Sequence, residues 1–510
     1  MKILSCGQIK EIDSYTIKYE PIASIDLMER ATAQLFGWIA GRFGISEHFV
    51  IFTGPGNNGG DGLALSRMLG VHGYKVDVYI VSVSDIVSPD CALNLKRLEN
   101  VTNVTVYYLK STEQLSLPDP KDIIVDAIFG SGLSRPVSGF PGEVIKFINK
   151  ADSVVISVDL PSGLFGEDNS NNDPEYIIKA DFTLTFQFPK LAFMFPENGK
   201  YTGEWIVLPI GLNENAIKNS ASPYLILSAG DILPLLKKRG KFDHKGTYGH
   251  GLLVAGSQGK MGAAVLGAGA ALRSGIGLLT CHIPSGGNII LQSSIPEAMS
   301  VIDRSETLIS EIGSSETFSA VGIGPGIGTA KETREALSSF LSECRKPVVI
   351  DADALNILSL NRKLLDLLPA DSILTPHPGE FERLAGKSVN SYDRLQKQIE
   401  FSHRHNCIIV LKGANTSITM PSGEVFFNST GNPGMATGGS GDVLTGIILS
   451  LLAQGYTPVN ASITGVYLHG LAGDIAASES CFESIIASDI INCIGRAFNT
   501  IRRNGTQRTP

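Results

Sequence analysis

Several short segments of this chain set carboxylates and glycines where chemistry can be done. Gly54-Pro55-Gly56-Asn57-Asn58-Gly59-Gly60-Asp61-Gly62 follows the apolar run His48 to Thr53. Glycines at that density let backbone N–H groups crowd against an anion at the start of the next helix, where the helix dipole favours phosphate. The loop is not a Walker A motif, because no Gly-Lys-Ser/Thr follows, and it meets the dinucleotide fingerprint only as far as Gly54-x-Gly56-x-x-Gly59. Two further loops open on an aspartate at the end of an apolar run: Asp126-Ala127-Ile128-Phe129-Gly130-Ser131-Gly132-Leu133-Ser134-Arg135-Pro136 and Asp159-Leu160-Pro161-Ser162-Gly163. Either aspartate alone could cap a helix. Three polar, Gly-bearing loops at strand ends are better explained as one site.

The second half carries a denser segment, Asn432-Pro433-Gly434-Met435-Ala436-Thr437-Gly438-Gly439-Ser440-Gly441-Asp442, which enters the apolar helix Val443 to Leu452. Backbone donors at a helix start, with one carboxylate beside them, suit phosphoryl transfer to a hydroxyl: the amides hold phosphate while Asp442 takes the proton. The plainer reading of Asp442 is an N-cap. Supporting loops are Lys260-Met261-Gly262-Ala263-Ala264, Gly322 to Gly328, Asp351-Ala352-Asp353, Thr375-Pro376-His377-Pro378-Gly379-Glu380 and Lys412-Gly413-Ala414-Asn415-Thr416. The small residues after Lys260 also fit a helix packed closely on its sheet. His377, framed by two prolines, suits a ligand contact and not proton transfer.

The elements that position these loops follow from periodicity. His48 to Thr53, Lys75 to Val83, Asp122 to Ala127 and Ser153 to Asp159 are buried strands, with helical spacing between them as at Leu63 to Leu69. Strands alternating with helices predict an α/β fold with a parallel sheet covered on both faces, and ligands gather at the carboxyl ends of such strands. Gly211 to Pro223 lapses into Asn, Ser and Pro, which predicts a connection between domains. A second α/β pattern follows, with strands at Gly251 to Ala255, Ala320 to Ile323, Pro347 to Asp351, Ser372 to Thr375 and Ile408 to Leu411, and a small-residue helix over Gly262 to Ser274. No period of roughly 20 to 50 residues repeats, which excludes a solenoid or propeller.

A length of 510 residues exceeds what one core usually serves. The net charge of −8, without a basic block, argues against nucleic acid and anionic membranes as partners. Seven scattered cysteines without Cys-x-x-Cys argue against a disulfide framework and a structural zinc site. The N-terminus reaches charged residues before any long apolar run, and Ala263 to Leu279 is broken by Arg273, so no signal or membrane span is expected and the cytoplasm is the expected location. The tail RRNGTQRTP is expected to fray.

In order, SIDLMERA, GPGNNGGDGL, DAIFGSGLSRPVSG and SVDLPSGL resemble the NAD(P)H-hydrate epimerase family over residues 1 to 215. The resemblance implies a Rossmann-like three-layer domain that holds a hydrated nicotinamide dinucleotide on Asn57, Asn58, Gly59, Gly60, Asp61, on Gly130, Ser131, Gly132, Leu133, Ser134, Arg135, Pro136 and on Asp159. It also implies K⁺ near Asn58, Asp126 and Ser162. Ser131 stands where the family more often has Thr, which keeps the hydroxyl. The hydrate carries a hydroxyl on ring carbon 6 beside the ring nitrogen; its loss gives a planar iminium to which water returns on either face. Asp159 is the candidate for shuttling the proton.

The Gly-Gly-Ser-Gly-Asp loop resembles the ribokinase-like superfamily at large. HKGTYGHGLLVAGS, GAAVLGAGAALRSGIGLLT, DADALN, TPHPGEFERL and NPGMATGGSGDVLTG together are narrower, and resemble the NAD(P)H-hydrate dehydratase family over residues 225 to 505. That resemblance implies a ribokinase-like domain in which ADP, favoured over ATP, phosphorylates the S hydrate with Mg²⁺ present; phosphate then leaves, giving NAD(P)H, AMP and phosphate. Asp442 is the implied base and also touches substrate. Gly441 and Lys412, Gly413, Ala414, Asn415 and Thr416 line the nucleotide, while Ala263, Gly326 and His377 touch the hydrate. A homo-oligomer acting only on small molecules is expected. The rival readings are a vitamin or sugar kinase that keeps its phosphorylated product, and a non-catalytic dinucleotide sensor. The first half, which no kinase needs, argues against the former, and the three aspartates against the latter.

Overall fold

A computed structural model describes residues 1–84, 86–115 and 118–504 of the chain. It separates into two compact units, one built from Lys2–Ser222 with Asn390–Tyr392, the other from Pro223–Val389 and the chain from Asp393 on, with Met1.

The first unit is a seven-stranded sheet of β1 (His48–Thr53), β2 (Lys75–Val81), β3 (Val104–Leu109), β4 (Ile123–Ala127), β5 (Val154–Val158), β6 (Phe182–Phe186) and β7 (Glu204–Leu208). The order is β3-β2-β1-β4-β5-β6-β7, parallel throughout. The expected strands β1, β2, β4 and β5 are the buried ones, while β3, β6 and β7 were not foreseen. β3 lies at an edge with Tyr107 and Tyr108 exposed, and β6 carries the buried polar Thr183 and Thr185, so neither reads as an apolar run. The chain leaves β1 toward one side of the sheet and reaches β4 on the other, and this reversal opens a crevice above their carboxyl ends.

Three helices frame that crevice: α1 (Cys6–Tyr19), α2 (Ser24–Ala40) and α3 (Asn57–Val71). α1 starts at a Ser5 cap whose hydroxyl accepts from Gln8 N at 3.3 Å. α3 starts six residues before Leu63, where the sequence periodicity began, so Asn58, Gly59, Gly60 and Asp61 are helical and not loop. Close packing requires glycine there: a Cβ on Gly59 would lie 1.8 Å from the Gly54 carbonyl oxygen. The expected open connection also contains a helix, Glu214–Asn219, because the Asn213 side chain accepts from Asn215 N and Ala216 N at 3.1 and 3.2 Å.

The second unit has β8 (Tyr224–Ile226), β9 (His250–Val254), β10 (Leu278–Ile283), β11 (Met299–Ile302), β12 (Ala320–Ile323), β13 (Val348–Ile350), β14 (Ile373–Leu374), β15 (Ile408–Leu411), β16 (Ser417–Thr419) and β17 (Val425–Phe427). Their order is β8-β17-β16-β15-β14-β13-β12-β9-β10-β11. The stretch from β15 to β11 is parallel, and β16 and β17 extend it antiparallel. The five strands expected from apolar runs lie in the parallel part, whereas β8, β10, β11, β16 and β17 went unforeseen.

Two helices, α4 (Met261–Arg273) and α5 (Ser440–Ala453), pack on this sheet and on each other. They touch through glycine. A Cβ on Gly446 would lie 2.2 Å from the Gly267 carbonyl oxygen, so the small residues of α4 serve packing as well as any ligand. Gly446→Ala is expected to cost about 1–3 kcal/mol of stability through forced separation of the helices. The check is the urea midpoint of the second unit, and an unchanged midpoint would show that the helices part freely. The chain continues through Pro458–Glu479 to Ala487–Asn504, so Arg502 and Arg503 of the tail are helical, and 505–510 lie outside the described residues. Among the described residues no helix is long and apolar enough to cross a membrane.

Candidate active sites

Above the carboxyl ends of β1, β4 and β5 lies a cavity of about 660 Å³, within the usual span of small-molecule and cofactor sites. Of the residues expected to bind substrate, Asn57, Asn58, Asp61, Gly130 to Arg135 and Asp159 line it. Gly59, Gly60 and Pro136 do not; Gly59 packs on Gly54 and Gly60 on the Met28 side chain.

Asn58, Asp126 and Ser162 are brought together. Asp126 is fully buried; its carboxylate accepts from Ser162 Oγ at 2.5 Å, Ser162 N at 2.8 Å and Ser157 Oγ at 2.8 Å. It caps no helix. The Phe129 carbonyl accepts from Asn58 Nδ2 at 3.0 Å and from Ser162 Oγ at 3.2 Å. Burial pushes the Asp126 carboxyl up, and these hydrogen bonds only partly offset it. The convergent groups are a carboxylate, a hydroxyl, a carbonyl and an amide, a set of hard oxygens that fits a cation such as K⁺.

Asp159 sits directly after β5 with φ 63°, a backbone strain that a non-glycine residue holds only where its surroundings enforce it. One oxygen, Oδ1, accepts from Lys190 Nζ at 2.8 Å, Thr185 Oγ1 at 3.1 Å and Phe186 N at 3.3 Å. Burial acts to raise this carboxyl, but the Lys190 ammonium and the hydrogen bonds outweigh it and hold Asp159 below the usual carboxylate range. The geometry suits the part of a proton shuttle that needs an anion. Lys190 is 1% exposed, a fully buried lysine that the sequence reading did not single out. Its signal was a lone cation within the apolar run Phe186 to Phe195.

Three more carboxyls, Asp13, Asp61 and Asp90, share the cavity. Asp13, on α1 one turn after Ile9, was also missed, although a carboxylate on the buried stripe of Ile9, Ile12 and Thr16 breaks the helix pattern. Burial and the Asp159 charge push it up to about 6, against the pull of Lys190. Asp61 is driven well above its ordinary value by burial and then by Asp159, Asp13 and Asp90.

In the second unit the glycine-rich segment turns into α5 at Gly439, a left-handed N-cap with φ 90°. Asp442 lies in the first turn, and no hydrogen bond to its side chain is found among the described residues. Burial and the Asp351 charge push it up to about 6, with Lys412 pulling it down. Asp351, after β13, binds Lys412 Nζ at 2.8 Å through Oδ1 and Thr445 Oγ1 at 2.7 Å through Oδ2. This pair holds Lys412 against Gly441, where a Cβ would stand 3.2 Å from the ammonium. Ala352, between Asp351 and Asp353, has φ 49°, so this site is strained as well. Asp353 accepts from Gly328 N at 2.9 Å and Lys260 Nζ at 3.1 Å.

Ala263 and Gly326 face each other, the Cβ of one 3.1 Å from the Cβ position of the other. His377 caps the helix Pro378–Ala385, its Nδ1 accepting from Gly379 N at 3.1 Å, while Nε2 of this half-exposed ring lies 3.5 Å from Glu380 Oε1. The Lys412 to Thr416 loop is closed by Thr416 Oγ1 donating to the Gly413 carbonyl at 3.0 Å. His469 went unforeseen; its Nε2 meets Ser440 Oγ at 3.3 Å, and burial lowers it to about 4, so it stands neutral behind the amide cradle.

A parallel α/β unit with a carboxylate-lined cavity over its strand ends, followed by one with an aspartate set beside a helix-start amide cradle, defines a two-domain enzyme of the nucleotide-handling α/β class. Residues 24–192 match the family described as YjeF-related protein N-terminus, and residues 251–496 the family described as NAD(P)H-hydrate dehydratase. The bifunctional NAD(P)H-hydrate repair enzyme of Moorella thermoacetica is 35% identical over 96% of this chain and 96% of its own. That of Thermofilum pendens is 33% identical over 99% and 97%. The solved ADP/ATP-dependent NAD(P)H-hydrate dehydratase of Bacillus subtilis, co-crystallised with ATP and Mg²⁺, is 31% identical with a TM-score of 0.49, covering 54% of this chain and 98% of that one. The chain belongs to the family of bifunctional NAD(P)H-hydrate repair enzymes.

Proposed function

We propose that the chain repairs hydrated NADH and NADPH in two steps, with residues 1–215 interconverting the R and S hydrates and residues 225–505 dehydrating the S hydrate at the expense of ADP or ATP. The observation that carries the second activity is Asp442, uncapped and half-buried at the first turn of α5 beside the amides of Gly439 to Gly441. The amides and the helix dipole receive the transferring phosphoryl group, Lys412 balances its charge, and ionised Asp442 removes the proton from the ring hydroxyl. Phosphate is then a good leaving group, and its departure with a neighbouring proton restores the ring double bond. With ADP the products are NAD(P)H, AMP and phosphate. Gly413, Ala414, Asn415 and Thr416 line the nucleotide in this reading, and Ala263, Gly326 and His377 the hydrate.

Asn58, Asp126 and Ser162 would hold K⁺, which supplies a fixed positive charge to orient the substrate's oxygens. Asp351 is a hard-oxygen group of the kind that would hold Mg²⁺ beside nucleotide phosphates, and the ion would supply positive charge against the charge developing there. All seven cysteines are free thiols, which accords with the reducing cytoplasm proposed for the chain. The exposed apolar Met299, Val301 and Ile302 on the edge strand β11 accord with a homo-oligomer.

The test is incubation of the full chain with a mixture of hydrate epimers, with and without nucleotide. Without it the epimer ratio is expected to relax and no cofactor to form. With ADP, both epimers are expected to be consumed with stoichiometric AMP and phosphate. Accumulation of a phosphorylated hydrate would instead make the second unit a kinase.

A further inference from the structure

Asp61 lines the same cavity as Asp159 but has none of its company. Asp61 is 9% exposed, and no hydrogen bond to its carboxyl is found among the described residues. A buried carboxyl without a donor is costly as an anion, so it stays neutral or waits for a ligand. Asp159, in contrast, spends Oδ1 on Lys190, Thr185 and Phe186 and keeps its charge. Two carboxyls in one cavity whose surroundings push their protonation apart form an acid and its counter-anion.

We propose that Asp61 is the proton donor of the epimerase site and that Asp159 acts opposite it as a standing anion. This rests on the epimerase reading above. The Asp61 carboxyl gives its proton to the hydroxyl on ring carbon 6 as the C6–O bond breaks, so that water leaves and the ring-nitrogen lone pair forms the C6=N bond of the iminium. Water then adds to the other face, the nitrogen recovers its lone pair, and the proton of that water returns to the Asp61 carboxylate. Asp159 balances the iminium charge throughout. Nothing is consumed, as an epimerisation requires.

Burial raises Asp61 most, and the charges around it add to that. Asp13 comes from α1, Asp90 and Cys91 from the helix Pro89–Leu98, and Asp159 from the end of β5 with Lys190 behind it, while Cys6 of α1 lines the same cavity. Lys10 and Arg135 reach the same cavity. Carboxyls predominate, and they keep the Asp61 proton in place to higher pH.

The test is the pH dependence of epimerisation by the full chain, without nucleotide and corrected for spontaneous exchange. The wild-type kcat is expected to fall as pH rises through the raised value of Asp61. Asp61→Asn is expected to lower kcat on the order of 10²- to 10⁴-fold with little change in KM, and to erase the high-pH limb. Asp13→Asn is expected to move that limb to lower pH without erasing it. A wild-type profile with no high-pH limb overturns the proposal even if Asp61→Asn does not fold. So does a folded Asp61→Asn with native kcat, or an Asp13→Asn variant that has lost the limb, which would make Asp13 the donor. If wild type leaves the epimer ratio unchanged at every pH, the epimerase reading itself fails.

Discussion

Asp442→Asn is expected to keep nucleotide affinity close to native while dehydration falls on the order of 10²- to 10⁴-fold. The groups proposed to hold phosphate are the amides of Gly439 to Gly441 and the Lys412 ammonium, which Asp351 binds at 2.8 Å, and none of them is the residue 442 side chain. In this reading the substitution removes only the base. Because burial and Asp351 place the Asp442 carboxyl at about 6, wild-type dehydration is expected to rise with pH through that value as the base ionises, and the variant to lose this limb. Epimerisation proceeds unchanged in the other unit. Calorimetry of nucleotide binding beside recovery of nicotinamide absorbance, on one preparation, checks both halves. Native regeneration of cofactor by the variant would falsify the base assignment, and loss of nucleotide binding would move Asp442 to a structural or Mg²⁺-holding role.

What the sequence made legible follows burial. Strands covered on both faces, such as β1 and β4, are continuous apolar runs and were found from pattern alone, whereas β3 at an edge, with exposed tyrosines, gave no such run. The loop motifs pointed to Asn58, Asp61, Asp126, Asp159 and Asp442, because a polar Gly-rich loop at a strand end has few structural reasons to exist. Pattern could not reveal the partners that give those residues their properties. Lys190 is 31 residues from Asp159 in sequence and Asp13 is 48 from Asp61, and each pair meets only because the sheet order and α1 close over one cavity. His469 is hidden in the same way, on a long apolar helix where a histidine usually satisfies a core contact. Glycines carry a second reason that sequence does not show: Gly59, expected to touch substrate, also packs so closely that a Cβ there would lie 1.8 Å from the Gly54 carbonyl oxygen.

Asp159→Asn is expected to reduce epimerisation on the order of 10²- to 10⁴-fold and to spare dehydration. The amide keeps the shape but not the charge, so the iminium loses its counter-anion. It also leaves Lys190, 1% exposed, without its ionic partner, and breaking a buried pair from one side costs about 3–5 kcal/mol. Lost activity alone therefore cannot separate the catalytic effect from the structural one. Lys190→Met separates them. Without the ammonium, burial dominates at Asp159 and its carboxyl moves up, out of the depressed range it now occupies. If the anion is the working form, the Lys190→Met variant is expected to be slow at low pH and to recover as pH rises through the new Asp159 value. Asp159→Asn has nothing to ionise and stays slow at every pH. The check is epimerisation against pH for both variants, with dehydration on the same samples as the control for folding. If Lys190→Met remains slow at all pH values while still folded, Lys190 itself touches the substrate, and the charge of Asp159 is not what the site requires.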